Sequence, residues 1–114
     1  LRLSHLEILS GNTGESSARI RERVVRARAL QAERFTGTKI YCNAHMGPGE
    51  IKKFCRLGTE ARRLLAGAIQ YYGLSARGCD RLLKVARTIA DLEGQETINS
   101  AHLAEAIQYR EEKG

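Results

Sequence analysis

Between Gly73 and Gly94 the chain reads GLSARGCDRLLKVARTIADLEG, an unbroken helical pattern with a glycine just past each end. Cys79, Leu82, Leu83, Ala86, Ile89 and Ala90 recur at three- and four-residue spacing, which gathers them on one face of a helix. Ser75 stands where a side-chain oxygen can cap the first turn. A helix with a broad apolar face must bury it against other elements, so the rest of the chain has to supply partners.

Those partners also read as helices. From Glu15 to Phe35, Ile20, Val24, Ala27 and Leu30 form a narrow apolar stripe, with Ser16 as the expected N-cap. Thr36 to Gly47 lacks helical periodicity and holds a short extended piece at Ile40 and Tyr41. Pro48 suits the first position of a short helix that runs to about Leu57 and is ended by Gly58. Thr59 is then expected to cap a helix whose stripe is Ala61, Leu64, Leu65, Ala68, Ile69 and Tyr72, closed by Gly73. After Gly94, Ile98 reads as a buried anchor, Asn99 as an N-cap, and Leu103, Ala106 and Ile107 as the core face of a last helix. The expectation is an all-α fold, a compact bundle of about five helices. Residues 1–13 read as an entry segment or the end of a preceding domain, 14–110 as the helical domain and 111–114 as a tail.

Composition sets limits on function. A hydrophobic content of 42% over 114 residues is enough for one domain with a modest core. No apolar run approaches membrane-spanning length, and the N-terminus lacks the basic and apolar segments of a secretory signal. Three cysteines, an odd number, suit a reducing compartment, so a cytoplasmic location is expected. The chain begins at Leu1 rather than Met, as a piece of a longer polypeptide would. The formal charge is +6, and 14 of the 19 basic residues are arginine, the side chain best matched to phosphate and carboxylate oxygens.

One cation is out of place. Arg77 lies in the first turn of the Gly73–Gly94 helix, facing the positive end of the helix dipole. It heads a polar stripe of Arg77, Arg81, Lys84, Thr88 and Asp91. Two readings are open. The stripe is a solvated face, helped by Asp80 four residues before Lys84, or its basic end joins the free N–H groups of the helix start to hold an anion.

The stretch GLSARGCDRLLKVARTIADLEGQETINSAHLAEAIQYR, with GESSARIRERVVRARALQAERF and CNAHMGPGEIKKFC upstream, resembles the C-terminal domain of the magnesium-chelatase subunit I–like AAA+ ATPases. The likeness is strongest to the ComM/YifB-type bacterial branch and spans Gly14 to Arg110. That resemblance implies the helical lid that follows a nucleotide-binding core. It makes Arg77 the sensor-2 arginine, which reaches the terminal phosphate of the nucleotide; Arg81 is not singled out by the resemblance, and only its spacing, one turn on, puts it in a supporting position. It further implies ATP and Mg²⁺ as cofactors of the parent protein. The implied partners are the N-terminal AAA+ core of the same polypeptide, neighbouring subunits of a ring, and DNA as the material remodelled. In one place the chain departs from the family: Ala18 and Arg19 stand where relatives carry acids after the serines. No G-x-x-x-x-G-K-[ST] occurs in the 114 residues, so the chain by itself is expected to bind no cofactor and to hydrolyse no ATP.

Two other constellations bear on function. Arg19, Arg21, Arg23, Arg26 and Arg28 flank the stripe of the first helix and suit phosphates of a nucleic acid or an acidic protein face. The chain is then a basic helical DNA-binding or protein-interaction module without an ATPase role. Cys42, His45 and Cys55, with Cys79, His5 or His102 as a fourth ligand, make a poor zinc set, because the spacing matches no standard finger; no metal is expected.

Overall fold

A computed structural model describes residues 16–112. The entry segment 1–13, His5 and the end of the tail lie outside the described residues. Among the described residues five α-helices follow one another: α1 (Ser17–Arg34), α2 (Pro48–Phe54), α3 (Thr59–Tyr72), α4 (Ala76–Leu92) and α5 (Ser100–Glu112). A 3-10 turn, Asn43–His45, sits between α1 and α2. The expected all-α bundle is what the chain forms, and no strand is present among the described residues.

The element that organises the rest is α4. It packs along α5 and α1 and also touches α2 and the 3-10 turn, while α3 lies against α5. Its Leu82, Ala86, Ile89 and Ala90 are buried, and Ala86 and Ala90 are small enough to let neighbours come close. Around them Phe35, Met46, Ile51, Ile98, Leu103 and Ala106 complete the core. Ile98 is fully buried as expected, and its N–H donates to the Arg56 carbonyl at 2.9 Å while its own carbonyl accepts from Gly58 N–H at 3.2 Å. This bridge ties the α4–α5 connector to the α2–α3 connector.

The helix ends follow the local chemistry. Ser16 Oγ accepts from Arg19 N–H at 3.3 Å and Ser75 Oγ from Gly78 N–H at 3.0 Å, each relieving an orphan donor. Asn99 and His102 cap each other: Asn99 Oδ1 accepts from His102 N–H at 3.0 Å, and His102 Nδ1 accepts from Asn99 N–H at 3.1 Å. Gly73 (φ 62°) and Gly94 (φ 70°) end α3 and α4 in the left-handed region that disfavours any side chain.

Three expectations are corrected. Gly58, not Thr59, is the N-cap of α3, and Thr59 is its first helical residue. The short α2 stops at Phe54 rather than near Leu57, because Leu57 is drawn into the bridge to Ile98. In α1 the inward position expected for Leu30 belongs to Gln31, leaving Leu30 38% exposed. Gln31 is buried because its side-chain oxygen accepts from Asn43 N–H at 3.0 Å.

Candidate functional site

The start of α4 is built to stay open. Gly73 turns the chain out of α3, and Ser75 satisfies Gly78 N–H. The N–H groups of Ala76 and Arg77, in the first turn, have no acceptor within the helix. The side chains of Arg77 and Arg81 are exposed, and neither makes an ion pair or hydrogen bond among the described residues. With no acid in that first turn, Arg77 and two backbone donors lie at the positive end of a helix dipole, with the exposed Arg81 one turn on. Such a corner suits a phosphate or carboxylate.

The other half of the stripe behaves differently. Lys84 does not pair with Asp80 in the structure; its Nζ donates to the Ala44 carbonyl at 3.2 Å. Thr88 Oγ1 accepts from Asn43 Nδ2 at 3.2 Å, and Asp91 is only 1% exposed. The solvated-face reading therefore fails for the C-terminal end of the stripe, which is an internal joint.

Asp91 is the centre of that joint. Arg34 of α1 grips its carboxylate with two parallel bonds, Nη1 to Oδ2 at 2.8 Å and Nη2 to Oδ1 at 2.7 Å. Asn43 Nδ2 donates to Oδ2 at 2.8 Å, and Arg87 Nε donates to Oδ1 at 3.1 Å. Arg87, 1% exposed, spends its remaining donors on backbone carbonyls: Phe54 at 3.2 Å, Glu96 at 2.6 Å and Gln95. Two guanidinium groups thus share one carboxylate, and the surplus positive charge is met by carbonyl dipoles and by Asn43 Oδ1, which accepts from Arg34 at 2.9 Å. Burial pushes the Arg87 pKa down and Asp91 pulls it back up. No buried side-chain nitrogen or oxygen is left without a partner among the described residues. The sequence reading missed Arg87, although one signal was available: it stands beside Ala86 and three before Ala90, inside the arc of the core face.

The remaining candidates stay apart. Arg19, Arg21, Arg26 and Arg28 are exposed on α1, and Arg23 is half-buried. Cys42 Sγ lies 3.6 Å from His45 Nδ1, but Cys55 is buried elsewhere with its thiol toward the Leu83 carbonyl at 3.8 Å. Cys79 is half-buried on α4, and His102 Nε2 lies 3.1 Å from Glu93 Oε1. Among the described residues no three His, Cys, Asp or Glu side chains converge as a metal would require. Among the described residues no helix is long and apolar enough to cross a membrane.

Comparison with known proteins fixes the family. The family model described as "Magnesium chelatase, subunit ChlI C-terminal" matches residues 14–110. The chain belongs to this family. Over 101 residues it is 45% identical to the competence protein ComM of Haemophilus influenzae, covering 89% of this chain and 19% of that protein. YifB of Escherichia coli is 44% identical over 97 residues, covering 85% of this chain and 18% of YifB. A Mycobacterium tuberculosis protein is 32% identical over 102 residues, covering 90% of this chain and 20% of its own length. The chain therefore spans about a fifth of the length of these relatives, and what it matches in them is the magnesium-chelatase C-terminal domain.

Proposed function

We propose that this domain is the helical lid of an AAA+ ATPase and supplies Arg77 as a sensor-2 arginine to a nucleotide held mainly by another domain. The observation that carries this reading is the division of labour along α4. Arg87 is consumed by Asp91 and three carbonyls, whereas Arg77 is exposed in the first turn with no partner among the described residues. Phosphoryl transfer needs cationic donors around the phosphate oxygens far more than it needs covalent chemistry. An arginine facing the positive end of its own helix is relieved when a phosphate arrives, since the dipole, the free N–H groups and the guanidinium then act on the same anion. Arg81, one turn on, adds charge at longer range.

ATP and Mg²⁺ are assigned to the parent protein, whose core of the same polypeptide and whose neighbouring ring subunits are this domain's partners. The absence of a Gly-rich phosphate loop from the 114 residues supports that division. We place the parent in the cytoplasm, in keeping with three free thiols, and take DNA as the material it remodels, a step that rests on the likeness to ComM-type proteins.

The test is ATP turnover by the full-length protein. Arg77→Ala is expected to lower kcat by about a hundredfold, with Arg81→Ala much milder, while far-ultraviolet circular dichroism of the 114-residue chain stays unchanged. Turnover within a factor of two of wild type for Arg77→Ala removes the assignment and favours the alternative, a basic module without an ATPase role.

A further inference from the structure

The outer face of α1 has the construction of a helix-docking seam. Each residue advances a helix by about 100°, so the line facing the domain, Ile20, Val24, Ala27, Gln31 and Arg34, has a counterpart on the far side. That counterpart is Ala18, Glu22, Val25, Ala29 and Ala32, spaced four, three, four and three. All five are exposed, Val25 to 66%. Arg21 and Arg28 border this line on one flank and Arg19 and Arg26 on the other, all four exposed. Arg34 holds α1 to Asp91, so the face is presented on a fixed helix rather than a loose one.

We propose that this face docks a partner helix that carries an apolar seam flanked on both sides by Asp or Glu. Four-three spacing is the spacing at which two helices run side by side, and alanines let their axes come close. Val25 is the one sizeable apolar group on the line and serves as its anchor. The flanking arginines occupy the positions that choose a partner by charge in paired helices. Glu22 fixes register by requiring a basic or amide side chain opposite it. A second copy of this chain is a poor occupant, since arginine rows would meet arginine rows. Nucleic acid makes use of the arginines but not of Val25. This surface is separate from the start of α4, so its role does not depend on Arg77.

The probe is a designed peptide about three heptads long, with Leu and Ala on its seam and Glu on both flanks, labelled for fluorescence anisotropy with the 114-residue chain. A duplex of about 20 base pairs is titrated in parallel. Micromolar binding of the peptide is expected. Val25→Lys should weaken peptide binding about tenfold, although it adds a positive charge to an already basic face. Arg21→Glu with Arg28→Glu should abolish it. Because Val25 is exposed, the lysine variant keeps the fold. Equal or tighter peptide binding by Val25→Lys shows that charge alone is recognised and overturns the proposal. Failure of wild type to bind the peptide, or preference for the duplex, overturns it as well.

Discussion

Asp91→Asn is the sharpest perturbation of the fold, because it keeps the side chain's shape and removes only charge and one acceptor. Asp91 accepts four hydrogen bonds, from Arg34 at 2.8 and 2.7 Å, Asn43 at 2.8 Å and Arg87 at 3.1 Å. An asparagine amide offers one acceptor oxygen, and its NH₂ group must face donors whichever way it is flipped. Arg34 keeps some access to water, with 13% of its side chain exposed, whereas the Arg87 side chain is 2% exposed and cannot leave. Breaking a buried ion pair in this manner costs about 3–5 kcal/mol. For a domain of this size that is a fall in Tm of roughly 12–40 °C, a large share of a total stability of about 5–15 kcal/mol. Urea and thermal unfolding of the 114-residue chain, followed by circular dichroism, measure the loss directly. In a double-mutant cycle, Arg34→Ala and Asp91→Ala should show coupling at the upper end of about 0.5–3 kcal/mol. If Asp91→Asn costs less than about 1 kcal/mol, the joint is not what holds α1 to α4.

Two further outcomes can be checked on the same protein. Burial pushes the Cys55 thiol from an ordinary 9.0 up to about 11, so its neutral form is favoured in the fold. The unfolded chain then loses its proton first: stability is full below pH 9 and declines between pH 9 and 11, by about 1.4 kcal/mol per pH unit at most. A denaturant midpoint that stays flat over that window contradicts the burial of the thiol. Asn99→Ala removes the acceptor for His102 N–H at the start of α5 and should cost about 1 kcal/mol. In the wild-type protein, nitrogen NMR should find neutral His102 protonated on Nε2, since Nδ1 accepts from Asn99; the opposite tautomer refutes that geometry.

Much of the architecture was legible because periodicity and punctuation agreed. The glycines after Tyr72 and Glu93, Ser16, Ser75 and Asn99 at helix starts, and Pro48 at the head of α2 all do locally what their chemistry favours. What escaped was polar and long-range. Leu30 looked like the fourth member of the α1 stripe because it is apolar, yet Gln31 takes the inner place since Asn43, twelve residues on, offers it a backbone donor. Asp91 looked like a surface residue because it is charged and continues the polar stripe of α4. Two of its partners, Arg34 and Asn43, are 57 and 48 residues away, and only Arg87, one turn earlier inside the core arc, was a local sign that this carboxylate is paired. At the start of α4 the exposure of Arg77 and Arg81 follows from the pattern; what they bind does not.

Eight of the arginines thus fall into two groups separated by partner rather than by position in the sequence. Arg34 and Arg87 meet at one carboxylate and hold the C-terminal half of α4 against α1 and the connectors. Arg77 and Arg81 at the head of the same helix, and Arg19, Arg21, Arg26 and Arg28 on the outer face of α1, are exposed. A helix anchored at one end and open at the other is a suitable mount for a charged group that must meet an anion brought by a different domain. The anchored end fixes the direction of the rod, and a free guanidinium loses no intramolecular pair when it binds. Were stability the only demand on this chain, pairing the exposed cations with nearby acids would cost little. The chain carries 13 acidic residues against 19 basic ones. Part of that excess is exposed at the head of α4 and along α1, which is what the two proposed partners would require, a phosphate at the first and carboxylates along the second.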